Sequence, residues 1–144
     1  MLQFKGSAYA EPLAALHALC FVEPWSMENF QKILNLPTTF GLGDEWGFLL
    51  CADLGDSFEI LTLAIHPDYR RKGLATTLLK QLQQLAEDHK KQNIFLEVNA
   101  SNTPAIQLYL KNNFIQTGVR KNYYHEKDKT FDALCLTWKK SPTK

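Results

Sequence analysis

The sequence predicts a single domain of mixed α and β structure, α+β in class (α/β mixed). The spacing of apolar residues changes period along the chain, from strand-like runs to a 3.6-residue repeat and back, so strands and helices are interleaved. With 144 residues, 45% of them hydrophobic, the chain is large enough to bury a core without disulfides or metal. It has no internal repeat, low-complexity tract or Pro/Gly-rich linker, so residues 1–144 read as one unit.

Leu2 to Phe4 reads as a short first strand, and Pro12 to Phe21 as a helix with Leu13, Leu16 and Cys20 at helical spacing. Pro24-Trp25-Ser26 breaks the chain, and Ser26 is positioned to cap a second helix through Phe30, Ile33 and Leu34 that ends before Pro37. Thr38 to Leu42, Gly47 to Ala52 and Phe58 to Ile65 read as an antiparallel meander, with Asp53-Leu54-Gly55-Asp56 as the turn between the last two. From Leu74 the pattern is helical: Leu74, Leu78, Leu82 and Leu85 share a face with Ala75, Leu79 and Ala86, as far as His89. Asn93 to Val98 is a strand with Ile94, Leu96 and Val98 on one side. Thr103 is read as the cap and Pro104 as the first residue of a helix running to Asn112. Phe114 to Tyr124 and Phe131 to Trp138 form a closing hairpin about Lys127-Asp128-Lys129.

The charges exclude some function classes. The 16 Lys and Arg nearly balance the 15 Asp and Glu, so no global field gathers nucleic acid or anionic lipid, and Arg70-Arg71-Lys72 is too short a basic run to change that. Cys20, Cys51 and Cys135 are an odd number without CxxC spacing and sit among apolar neighbours, which predicts buried, reduced thiols. Met1 to Ala10 lacks the features of a signal peptide and no long apolar run appears, so a cytoplasmic protein with no membrane partner is expected. His17, His66, His89 and His125 are scattered without ligand spacing, and no metal is predicted.

The segment from Leu63 to Thr76 is a strand, a proline turn and a basic, Gly-bearing loop that opens the long helix. The first turn of a helix has free N–H groups at the positive end of its dipole, so a pyrophosphate placed there is held by backbone, and Gly73 and Ala75 leave room for it. A dinucleotide fold would require GxGxxG, and a P-loop GxxxxGK followed by Ser or Thr; neither is present. What is present is Arg-x-x-Gly-x-Ala, Arg70 to Ala75. In this the sequence resembles the GNAT acetyltransferase family, whose coenzyme A signature is Gln or Arg, two residues, Gly, one residue, then Gly or Ala. The resemblance implies a sheet splayed between its fourth and fifth strands with helices on both faces. It further implies that the backbone of Leu63, Ala64 and Ile65 meets the acetyl and pantetheine arm of acetyl-CoA, while Arg71, Lys72, Gly73, Leu74, Ala75 and Thr76 wrap the pyrophosphate.

A second constellation runs from Leu96-Glu97-Val98 through Asn102 to Ala105-Ile106 and Leu108-Tyr109. Glu97 is a carboxylate in an otherwise apolar strand, either a general base with a burial-raised pKa or an outward-facing strand residue. Tyr109, from spacing alone, reads as a partly buried core tyrosine. The block, together with Pro24-Trp25-Ser26 and Asn122-Tyr123-Tyr124, resembles the RimI branch of GNAT enzymes, which acetylate the N-terminal alanine of a ribosomal protein. The likeness runs from Phe21 to Leu136. It implies Glu97 as base, Tyr109 as the acid that protonates the leaving sulfur, and a backbone N–H around Ile65 as oxyanion donor. Asn102 either bonds the pantetheine arm or caps the following helix. Trp25, Thr62, Tyr123 and Tyr124 fall on the acceptor side, as substrate-lining or packing residues.

The chain departs from the family pattern at several points. Thr62 and His66 stand where close relatives have Asn and Asp, Ala75 replaces a second Gly, and Asn112-Asn113-Phe114 replaces Gly-Phe. Ala still permits close approach, and Asn adopts the left-handed conformation that Gly favours after a helix. Thr62 bears on the acceptor, which leaves a lysine side chain, a polyamine or an aminoglycoside as alternatives to a protein N-terminus. A non-catalytic coenzyme A-binding module is the remaining rival, and oligomeric state is left open.

Overall fold

The computed structural model describes residues 2–140; Met1 and residues 141–144, the two ends of the unit read from the sequence, lie outside the described residues. In chain order the elements are β1 (Leu2–Phe4), α1 (Ala10–Cys20), α2 (Met27–Leu34), β2 (Thr39–Asp44), β3 (Gly47–Asp53), β4 (Ser57–Ile65), α3 (Leu74–Asp88), β5 (Asn93–Asn99), α4 (Thr103–Lys111), β6 (Ile115–Glu126) and β7 (Lys129–Lys139). Each expected strand and helix is present, with ends that shift slightly.

Local chemistry sets the boundaries. Ser26 Oγ accepts the Asn29 N–H at 3.1 Å and caps α2. In the β3–β4 turn, Asp53 Oδ1 accepts the Gly55 N–H at 2.9 Å, and Leu54 N–H closes on the Ser57 carbonyl at 2.9 Å. Of the two residues read as a cap for α4, Asn102 serves and Thr103 does not, the Asn102 Oδ1 accepting the Ala105 N–H at 3.3 Å. Thr103 is already helical, and the missing N–H of Pro104 falls in the first turn, where donors lack partners anyway. Past α4, Asn113 takes φ +72°, and the Phe114 N–H returns to the Tyr109 carbonyl at 3.1 Å, so Asn does serve as the left-handed stop.

The sheet order is β1-β2-β3-β4-β5-β7-β6, antiparallel at every junction except β4–β5, which is parallel. Those two strands touch only through Ser57↔Asn93, Phe58↔Ile94 and Glu59↔Phe95. Beyond that, among the described residues, β4 from Ile60 to Ile65 has no strand on its β5 side, and β5 from Leu96 to Asn99 pairs only with β7. A register shift puts Leu61 as an extra residue between the Cys51↔Ile60 and Leu50↔Thr62 pairs, and such a bulge bends and twists its strand where the two part.

Alternation along the strands sorts side chains between two apolar layers. Leu49, Cys51, Phe58 and Ile60 join Leu78, Leu79, Leu82 and Ala86 of α3, Ile94, Leu96 and Val98 of β5, and Tyr109 and Phe114 at the end of α4. Phe48, Leu50 and Ala64 face the other way, onto Ala10, Leu13 and Leu16 of α1 and Phe30 and Leu34 of α2. Helices therefore cover both faces. Leu78, Leu79 and Leu82 are fully buried, each worth about 1.5–3 kcal/mol. All three thiols are free, as expected, but only Cys51 is buried; Cys20 and Cys135 are half-buried, Cys20 because it ends α1 at the mouth of the splay and Cys135 because it pairs with Glu97, on the face of β7 away from the Ile94-Leu96-Val98 core. Among the described residues no helix is long and apolar enough to cross a membrane, and no three His, Cys, Asp or Glu are grouped to hold a metal ion.

Candidate active site

A cleft of about 900 Å³ opens where β4 and β5 part. Its walls are Glu59 to Leu63 of β4, Leu96 to Asn99 of β5, Asn102, Ala105 and Tyr109 around α4, the end of α1 with the loop to Trp25, and Tyr123 to Glu126 of β6. Of the residues expected in the site, Glu97, Tyr109, Leu63, Asn102, Trp25, Thr62, Tyr123 and Tyr124 all line this one space. Ala64, Ile65 and Arg71 to Thr76 do not; they stand at and beyond the end of β4.

The β4 wall is backbone. His66 N–H donates to the Trp46 carbonyl at 2.8 Å, and the alternation of an antiparallel ladder then sends the N–H groups of Ala64 and Thr62 to β3 and those of Leu63 and Ile65 toward the splay. The Ile65 carbonyl is already taken, accepting Arg70 Nε–H at 3.2 Å and the Cys20 thiol at 3.3 Å. Among the described residues, no acceptor takes the Ile65 N–H on that edge.

Past β4, Arg71 (φ +64°) and Gly73 (φ +75°) both turn left-handed, and Gly73 occupies the cap of α3 with no side-chain acceptor. The first helical bond runs from Thr77 N–H to the Gly73 carbonyl at 3.0 Å. The N–H groups of Leu74, Ala75 and Thr76 therefore point out of the helix unsatisfied, at the positive end of its dipole. The helices α2 and α4, by contrast, close this end with Ser26 and Asn102. A Cβ on Gly73 would meet nothing within 4 Å; its φ, rather than crowding within the protein, is what calls for glycine.

At the β5 wall, Glu97 points away from the Ile94-Leu96-Val98 face. Its Oε1 accepts Arg120 Nη1–H at 2.8 Å, while Oε2 is buried without a hydrogen-bond partner. Tyr124 Oη–H donates to the Glu97 main-chain carbonyl at 3.4 Å. Tyr109, 6% exposed, packs edge-on to Phe114 at 5.6 Å. Burial, with Tyr124 nearby, pushes its hydroxyl well above the ordinary tyrosine range, so it stays protonated. Tyr124 is pushed up to about 12 by burial and then by the charge of Glu97.

Three residues of this site escaped the sequence reading. Glu59 lines the cleft from β4, its carboxyl raised by burial and by the charge of Glu97; it sits in an apolar run as Glu97 does, a signal that was there to use. His17 joins the acceptor-side residues: its Nδ1 accepts the Trp25 N–H at 3.1 Å and its Nε2 meets Thr62 Oγ1 at 3.1 Å. Burial lowers its pKa to about 4, so the ring is neutral and Nε2–H is the donor to Thr62. Arg120, on the hairpin, had no local signal at all.

The matches to known proteins follow this geometry. Residues 10–114 match the model of the acetyltransferase (GNAT) family. The chain is 33% identical over 118 residues to the ribosomal protein bS18-alanine N-acetyltransferase of Escherichia coli, covering 78% of this chain and 79% of that one. The chain belongs to the GNAT acetyltransferase family. An N-alpha-acetyltransferase of Saccharolobus solfataricus is 42% identical over 84 residues, 56% of this chain and half the length of the archaeal protein. The crystal structure of the ribosomal-protein-S18-alanine N-acetyltransferase from Escherichia coli superposes with a TM-score of 0.87 at 26% identity, over 99% of this chain and 96% of that one. The splay expected of a GNAT enzyme is thus present, and the chain is an acetyl-CoA-dependent N-acetyltransferase.

Proposed function

We propose that this enzyme, one domain over residues 1–144, moves the acetyl group of acetyl-CoA onto the N-terminal alanine amine of a small-subunit ribosomal protein, in the cytoplasm. The observation that carries the reading is that Glu97 of β5 and Tyr109 of α4, far apart in sequence, line the same cleft at the parting of β4 and β5. Likeness to the bS18-alanine enzyme over most of both chains supports the choice of acceptor.

The roles follow from the chemistry of each wall. The N–H groups of Leu74, Ala75 and Thr76, with Arg71 and Lys72 beside them, hold the pyrophosphate. Leu63, Ala64 and Ile65 run along the acetyl and pantetheine arm, which Asn102 also meets. An α-amino group has a pKa of about 7.7–8.0 and is mostly protonated at neutral pH, so Glu97 removes its proton through a water. The freed nitrogen attacks the thioester carbonyl, and a main-chain N–H of β4 around Ile65 steadies the oxyanion. As the C–S bond breaks, Tyr109 gives its proton to the sulfur, and the amide and the thiol leave. Trp25, Thr62, Tyr123 and Tyr124 line the path of the acceptor. No step calls on a metal.

The test is acetyl transfer from acetyl-CoA to short peptides beginning with alanine or other small residues, or carrying an internal lysine, followed by mass. Acetylation confined to the alanine-starting peptide is the expected result. Preference for lysine, or turnover only with a polyamine or aminoglycoside, moves the acceptor and keeps the chemistry; no turnover with any amine while acetyl-CoA still binds makes the chain a binding module.

A further inference from the structure

We infer that Arg120 is a positioning residue for the proposed base, holding Glu97 by Oε1 so that Oε2 is the oxygen that receives the proton of the acceptor amine; this rests on the reading of Glu97 as base. A carboxylate free to rotate offers two equivalent oxygens. Here they differ: Oε1 is bound to Arg120 Nη1 at 2.8 Å, and Oε2 is buried without a partner. A buried acceptor with nothing bound to it is a cost that native structures rarely carry, and a donor arriving through the cleft relieves it.

Arg120 is itself fixed. Its guanidinium lies over the Tyr123 ring at 4.2 Å, at the edge of a break in the β6–β7 register between Arg120 and Tyr124. That bulge is pinned by Asn122, at φ +52°, whose N–H donates to Asp132 Oδ1 at 3.0 Å and whose Oδ1 accepts the Thr130 hydroxyl at 3.1 Å. From the other end of the bulge, Tyr124 Oη–H donates to the Glu97 main-chain carbonyl at 3.4 Å. The bulge of β6 thus grips both the side chain and the main chain of Glu97. Stability is not what the ion pair supplies, since the Arg120 side chain is 54% exposed and exposed pairs contribute little.

The experiment measures kcat and KM for acetyl-CoA, with the best acceptor of the peptide panel, in wild type, Arg120→Met, Arg120→Lys, Glu97→Gln and the double variant Glu97→Gln/Arg120→Met. A displaced base costs roughly ten- to a hundredfold, so Arg120→Met should lose that much kcat with KM for acetyl-CoA unchanged, and Arg120→Lys should regain part of it. In the Glu97→Gln background the same change should alter kcat by less than about twofold, because nothing is left to position. Wild-type kcat in Arg120→Met, or an equal loss in both backgrounds, overturns the inference. If Glu97→Gln alone turns over at the wild-type rate, the reading of Glu97 as base falls and the inference falls with it; a slow Glu97→Gln beside an unimpaired Arg120→Met sinks the inference alone.

Discussion

The cleft and the turn beyond it, the two ends of the proposed acetyl-CoA path, are built from different materials. At the α3 end the donors are main-chain N–H groups of consecutive residues, Leu74 to Thr76, presented by two left-handed residues and the absence of a capping side chain. At the β5 end the groups are side chains from separate elements: Glu97 from β5, Tyr109 from α4, Arg120 and Tyr124 from β6, Glu59 from β4 and His17 from α1. A backbone site tolerates a change of side chain provided φ and ψ are kept, whereas a side-chain site depends on each residue and on the sheet that gathers them. The first should govern binding of the shared coenzyme, the second the rate and the choice of acceptor.

The largest expected break between the ends comes from Tyr109→Phe. It removes one hydroxyl from a buried ring whose packing against Phe114 is otherwise kept, so the fold and the KM for acetyl-CoA should stay as they are. Turnover should fall roughly a hundred- to a thousandfold, the usual scale for a lost general acid. Wild-type turnover would make Tyr109 a packing residue and leave the sulfur to be protonated by another group.

The same division decides what was legible in the sequence. The α3 end lies within one unbroken segment, so the Arg70 to Ala75 pattern and the period change at Leu74 are legible without the fold. The helix faces and the meander were legible for the same local reason: Leu78, Leu82 and Ala86, or Phe48 and Leu50, declare their faces by spacing alone. Glu97 stands out as a carboxylate in an apolar strand, but its choice as base over an outward-facing residue, and that of Tyr109 as acid, come through likeness to a family rather than through spacing. His17 and Arg120 were invisible because their partners, Thr62 and Trp25 in one case and Glu97 in the other, become neighbours only when the sheet is assembled. Asn102 was ambiguous for the opposite reason: a cap and a ligand contact require the same amide at the same place, and the structure resolves the cap.

A smaller effect should distinguish the ends by pH. Because burial lowers His17 to about 4, the unfolded chain takes up its proton near pH 6.5 while the folded chain resists until about 4. The stability this group contributes is complete above pH 6.5 and is lost as pH falls toward 4, on the order of 3 kcal/mol at full protonation. His17→Phe should flatten that slope in urea unfolding at pH 7 and pH 4.5, at a cost of about 1–3 kcal/mol at pH 7, because it strips the partners from the Trp25 N–H and the Thr62 hydroxyl. An unchanged slope would place the acid sensitivity elsewhere.

The smallest change tests the backbone end by itself. Gly73→Ala adds a methyl group that meets nothing within 4 Å, so any effect arises from φ +75°, which costs an L-residue roughly 1 kcal/mol. If the loop pays that strain to keep its shape, the protein loses stability and the coenzyme binds as before. If the loop relaxes instead, the N–H groups of Leu74 to Thr76 turn away and KM for acetyl-CoA should rise about fivefold, the equivalent of that energy. In both cases kcat at saturating acetyl-CoA should hold, because Glu97 and Tyr109 belong to other elements. A fall in kcat with KM unchanged would contradict the division, since it would require the α3 loop to act on the reacting atoms rather than on the pyrophosphate.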